Sequence, residues 1–231
     1  MLLPDWMKRL KPLSGFLVCL CLIMPFSAWA VEPSGGASHS SPPAVKPFFS
    51  NDGTIWVAGV GEGFHPGTQV IGFSAGITHG MLMLGGNERH HLSLLSATYG
   101  QMIGGVKGSD RWYRGNWELL GELSGGAQVN GETRWLTGIT PHIRYHFATG
   151  TRFVSYVDAG IGVTLTDIRG PDLGSAFQFN LQAGMGVNYF IRDNLAINIE
   201  GRYLHISSAG TSMPNDGVNT IGGFLGINTY F

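Results

Sequence analysis

Apolar residues recur at every second position over most of this chain. Segment 177–189 carries the pattern without a break. Phe177, Phe179, Leu181, Ala183, Met185, Val187 and Tyr189 alternate with Gln178, Asn180, Gln182, Gly184, Gly186 and Asn188. Successive side chains of a β-strand point to opposite faces, so this segment has one apolar face and one face of polar residues and glycine. The alternation repeats in 116–128, 135–147, 153–165, 195–207 and 219–231, and less cleanly in about 69–79 and 91–102. After residue 48 nothing has the 3.6-residue period of a long amphipathic helix. The pattern predicts an all-β chain of eight strands.

The predicted strands run to roughly ten to fifteen residues, longer than a soluble sandwich uses. With an aromatic C-terminal residue, Phe231, this length predicts an eight-stranded antiparallel transmembrane β-barrel over 68–231. Its apolar face meets lipid and its polar face turns inward. Eight strands leave room inside for side chains and no open channel. Glu118, Glu122, Asp158, Glu200, Arg144 and Arg202 all fall on the inward parity and are expected to form a packed polar core. Connections at 148–151 and 191–194 are short, as on the periplasmic side, whereas 170–175 and 208–217 belong to longer, external ones. Thr54–Gly61 could supply a further strand, but that would spoil the even count, so it reads as lead-in.

The N-terminus adds an address. Lys8, Arg9 and Lys11 precede an apolar run, Phe16–Phe26, and Ala28-Trp29-Ala30 is a small-x-small cleavage site. Residues 1–30 therefore read as a secretory signal peptide, its apolar run too short to span a bilayer. Residues 31–67 read as a flexible periplasmic leader and lead-in, rich at first in Ser, Gly and Pro. Both cysteines, Cys19 and Cys21, lie in the signal, so the mature chain has no disulfide, thiol nucleophile or cysteine metal site. Of 14 basic and 15 acidic residues, three basic and one acidic lie in the signal, leaving a net charge of −3. That charge argues against a nucleic-acid partner. The expected location is the bacterial outer membrane, with the bilayer as a partner.

Chemistry concentrates near the C-terminus. His205 and Ser207 are two apart on one predicted strand and so share a face. Their odd parity is the lipid-facing one, and Asn219 opens the odd face of the next strand. His205 lies 11 residues after Asn194, and Asn219 lies 12 before Phe231, each about one tilted crossing. The three are therefore expected together at the outer-leaflet rim. A hydroxyl, an imidazole and a group to orient the ring form a hydrolase constellation. A site on the outer wall suits a substrate that is itself a lipid.

The run Arg202-Tyr-Leu-His205-Ile-Ser207-Ser-Ala-Gly210, followed by Pro214-Asn215-Asp-Gly, resembles the C-terminal signature of the PagL-type lipid A 3-O-deacylases. The resemblance implies an eight-stranded outer-membrane barrel with lipid A of lipopolysaccharide as substrate, and neither cofactor nor metal. It implies Ser207 as nucleophile, His205 as general base, and the Asn215 side chain with the Gly210 N–H as oxyanion-hole donors. Two positions depart from the family. Asn219 stands where the family has Glu, and Ser208 where it has Asn. An amide can hold the ring but cannot offset the imidazolium charge, so slower turnover is expected; Asp216 is a second candidate to orient His205. A homodimer is compatible with this reading. The rival is a non-enzymatic eight-stranded surface protein, an adhesin or structural barrel, with a degenerate site.

Other clusters carry less. His79, His90 and His91 flank the first external loop and read as a solvated rim. His142 and His146 face inward and read as lumen hydrogen-bonding groups. Gly59-Val-Gly-Glu-Gly-Phe resembles a nucleotide loop, but no helix follows it. Outward Trp117, Trp135, Tyr145, Phe147, Tyr189 and Tyr203 read as membrane-interface anchors.

Overall fold

The alternating segments pair into one closed sheet. In the computed structural model, which describes residues 54–231, the strands are β1 (Gln69–Met81), β2 (Leu92–Lys107), β3 (Gly115–Gln128), β4 (Trp135–Phe147), β5 (Phe153–Thr166), β6 (Phe177–Arg192), β7 (Leu195–Ser207) and β8 (Val218–Tyr230). Each pairs antiparallel with the next, and β8 pairs with β1, making a closed barrel. Closure removes the unpaired edges that a bilayer would penalise. The expected signal peptide and residues 31–53 of the expected leader lie outside the described residues.

The two faces separate as the parity requires. Phe73, Ile77, Leu95 and Met185 are 65–70% exposed on the outer wall. No aqueous protein would leave such a continuous apolar belt uncovered. Inside, all six expected charges are buried and paired. Arg144 donates to Asp158 at 2.7 and 2.9 Å, and Arg202 to Glu122 and Glu200 at 2.6 Å each. Glu118 lies 2.6 Å from His146 Nε2. Removing one member would leave its partner buried without compensation, which is why the lumen groups come as a set. His142 departs from expectation: its ring is buried, but it makes no hydrogen bond among the described residues.

Apolar clusters seal both ends of this polar band. At the short-turn end, Trp56 and Phe64 enter the barrel and pack against Phe190 and Tyr230. Asn116 holds Phe64 by its backbone N–H and carbonyl, and Trp56 Nε1 donates to the Asp193 carbonyl at 2.8 Å. Residues 54–67 are thus an ordered plug, joined to themselves by one bridge, Trp56 to Phe64, and adding no strand. At the opposite end Leu92, Leu136, Ile168, Leu173, Ile206 and Phe224 form the second seal.

Candidate active site

Strand pairing brings the expected trio together. His205 and Asn219 are direct cross-strand partners in the β7–β8 register, and Ser207 is two residues beyond His205 on the same outer face. His205 Nε2 lies 3.0 Å from Ser207 Oγ, and His205 Nδ1 lies 2.8 Å from Asn219 Oδ1. His205 and Ser207 are half-buried, while Asn219 is only 2% exposed. The row runs hydroxyl, imidazole, amide, along the outer wall where the strands reach the long loops.

Two neighbours besides His205 hold Asn219. Its Nδ2 donates to the Met83 carbonyl at 2.8 Å, and its Oδ1 accepts from the Tyr203 hydroxyl at 2.7 Å. Gly217, at φ +81°, lies against the imidazole; a Cβ there would stand 2.9 Å from His205 Cε1. Any side chain at 217 would push the ring, so glycine is required by space as well as by its backbone. Tyr203, expected as an interface anchor, thus also serves the trio through its hydroxyl.

The loop after Ser207 is built tightly. Thr211 N–H donates to the Ser208 carbonyl at 3.1 Å, with Ala209 at φ +52° and Gly210 at φ +84°. Two successive positive φ values are the signature of a type I′ turn. Asn215 Oδ1 accepts from the Ser208 N–H at 2.7 Å and lies 2.8 Å from the Ser208 hydroxyl. Its Nδ2 has no partner among the described residues, and Gly210 is exposed. The Asp216 carboxylate is engaged elsewhere, accepting from Asn87 Nδ2 at 2.7 Å, and makes no bond to His205.

Asp172 ties this loop to the others. Its carboxylate accepts from the Asn87 and Glu88 N–H groups at 2.6 and 3.0 Å and lies 2.9 Å from His90 Nε2. Its carbonyl accepts from the N–H groups of Asp216 and Gly217. Burial alone would raise the Asp172 carboxyl, but the hydrogen bonds from Asn87, His90 and Glu88 outweigh it and hold the group below the usual range. His90 is therefore not on the solvated rim expected for the three histidines; it is buried between Asp172 and Gln128. His79 and His91 do stay at the surface, their rings 4.3 Å apart. Sequence reading missed Asp172 because nothing local marks it; its partners lie some 40 and 85 residues away.

Residues 95–228 match the family model described as lipid A 3-O-deacylase (PagL). The chain belongs to the PagL family. A curated PagL-family relative, lipid A deacylase PagL of Bordetella bronchiseptica, is 33% identical over 121 residues. That alignment takes in 47% of this chain and 63% of the relative. Among solved structures, Neisserial surface protein A (NspA) matches with a TM-score of 0.50 at 17% identity, covering 71% of this chain and 99% of that one. The outer membrane enzyme PagL matches with a TM-score of 0.46 at 20% identity, covering 66% and 97%. PagL-family membership and the apolar outer wall place the chain in the outer membrane.

Proposed function

We propose that this chain is an outer-membrane serine esterase that removes the 3-O-linked acyl chain of lipid A at the outer-leaflet face. The hydrogen-bonded row of Asn219, His205 and Ser207 carries the proposal. Polar groups on a lipid-facing wall are costly unless paired or near the interface, and these are both. Ser207 Oγ attacks the acyl carbonyl carbon while His205 Nε2 takes its proton. The C–O bond to the sugar then breaks, and His205 returns the proton to the departing sugar oxygen. Water, activated by His205, attacks the acyl-serine, releases the 3-hydroxy fatty acid and restores the Ser207 hydroxyl.

Asn215 Nδ2 and the Gly210 N–H are the proposed donors to the oxyanion. In support, Asn215 is anchored through its oxygen, which leaves the donor end of the amide free. The acyl chain would lie along the outer wall, where Phe179 and Leu181 are the β6 partners of Ser207 and His205. A barrel that serves only as a surface protein has no need of a hydroxyl, an imidazole and an amide joined in a row.

Mass spectrometry of lipid A from cells producing the chain tests the proposal. Loss of one 3-hydroxyacyl group, abolished by Ser207→Ala, is expected. An identical acyl pattern for wild type and Ser207→Ala, in a host with susceptible lipid A, refutes it.

A further inference from the structure

Replacing a triad carboxylate by an amide carries a specific danger. An amide has a donor end and an acceptor end, and only the acceptor end suits a catalytic histidine. If Nδ2 faces the ring, the imidazole must carry its proton on the other nitrogen. It then donates to the serine and cannot take the serine's proton. Loss of the correct tautomer is part of why Asp→Asn is so damaging in serine hydrolases.

We infer that the Met83 carbonyl and the Tyr203 hydroxyl lock the Asn219 amide in the orientation that makes His205 a base. Tyr203 and the turn 83–86 are then positioning elements of the triad. Met83 O can only accept, so the atom 2.8 Å from it is the amide nitrogen. Asn219 Oδ1 therefore faces the other way, toward His205 Nδ1 at 2.8 Å and Tyr203 Oη at 2.7 Å. In this orientation each of its two lone pairs meets a donor, whereas in the reverse one the Tyr203 hydroxyl would have to accept from Nδ2 and its own proton would lose its partner. With its proton on Nδ1, His205 presents the Nε2 lone pair to Ser207 Oγ, 3.0 Å away. Reversing the amide would set oxygen against oxygen at Met83 and move the histidine proton to Nε2.

The carbonyl owes its place to the first external loop. Gly86 N–H donates to the Met83 carbonyl at 3.2 Å, closing a turn with Leu84 at φ +54° and Gly85 at φ +101°. Leucine is disfavoured in that region, so the turn is held by its surroundings. One of them is Asn219, whose amide meets the same carbonyl. A loop from the β1–β2 connection thus sets the tautomer of a histidine on β7.

This inference rests on the esterase reading for its effect on rate, but its first readout does not. Nitrogen-15 spectroscopy of histidine-labelled protein in bilayers, at a pH where imidazole is uncharged, distinguishes the two tautomers. His205 is expected as Nδ1–H in the wild type. Tyr203→Phe removes one donor, and Gly85→Val disfavours the backbone that aims Met83 O; each is expected to give mixed tautomers. Deacylation should fall about three- to tenfold in Tyr203→Phe, the scale of one neutral hydrogen bond. Gly85→Val should cost more. In an Asn219→Glu background both losses should largely vanish, because either carboxylate oxygen accepts.

Wild-type His205 found as Nε2–H overturns the lock. So does a tautomer indifferent to both substitutions, or equal rate losses in the two backgrounds, which would mark a merely structural role. Should Gly85→Val disturb the loop at large, Tyr203→Phe, which alters no backbone, decides alone. A tautomer that responds in a protein with no deacylase activity upholds the lock and removes the esterase reading. Deacylation with an indifferent tautomer does the reverse.

Discussion

Restoring a carboxylate at position 219 separates the two jobs that a triad acid performs. It holds the imidazole in the correct tautomer, and it offsets the imidazolium charge formed as serine loses its proton. Asn219 already does the first, with Oδ1 2.8 Å from His205 Nδ1. Only the second is missing. A carboxylate about 4 Å from the imidazolium centre is worth about 4 kcal/mol at an effective dielectric of about 20. Two losses reduce that gain. The bond from Asn219 to the Met83 carbonyl goes, at about 1 kcal/mol, and a charge enters a site where Asn219 is nearly covered. The net should be about 1.5–3 kcal/mol, so Asn219→Glu is expected to raise kcat about ten- to hundredfold. Asn219→Asp should gain less, because its shorter side chain keeps an oxygen facing Met83 O. Timed release of hydroxy fatty acid from purified lipid A in mixed micelles measures both. A gain near 10⁴-fold, the full Asp-to-Asn deficit of serine hydrolases, would mean that the wild type holds the wrong tautomer. No gain would mean that imidazolium stabilisation does not limit turnover. Either result refutes this division of labour between orientation and charge.

Other expectations follow from particular contacts. Asn215→Ala removes a proposed oxyanion donor and the acceptor that ties Ser208, so kcat should fall about 10²–10³-fold with a much smaller change in KM. Asp172→Ala leaves the donors of Asn87, Glu88 and His90 unpaired, at about 1–3 kcal/mol. Surface proteolysis of whole cells should then cut loops 82–91 and 208–217 faster. The same clasp has a pH dependence. The Asp172 carboxyl is held below its usual range of about 3.9, so its contribution is complete above that pH and is lost as pH falls through the lowered value. Protease sensitivity of these loops should rise only below about pH 4, and Asp172→Asn should flatten that rise. At the far end, Phe64→Ala should destabilise the barrel by about 3–5 kcal/mol in urea unfolding from micelles while deacylation is unchanged.

What could be read from the chain alone follows the range of each interaction. Strand existence, face and count came from period-two alternation, a local property, and the observed strand limits differ from the expected ones by only a few residues except in β2, which runs on to Lys107. The trio was legible for the same reason. His205 and Ser207 share a parity, and a direct connection between β7 and β8 sets Asn219 opposite His205. Tyr203 was also within reach, since it precedes His205 by two residues on that face. Asp172, the Met83 carbonyl and the plug of Trp56 and Phe64 were not. Asp172 and the plug act at the barrel's ends on residues remote in the chain, where no periodicity relates the partners, and Met83 lies just past Met81, which only the closing β1–β8 pairing sets beside Asn219. A backbone carbonyl, moreover, leaves no mark in composition. Those hidden contacts also bear most directly on chemistry. Alternation delivers a serine, a histidine and an amide to one wall, and a turn some 130 residues away decides which end of the amide the histidine sees.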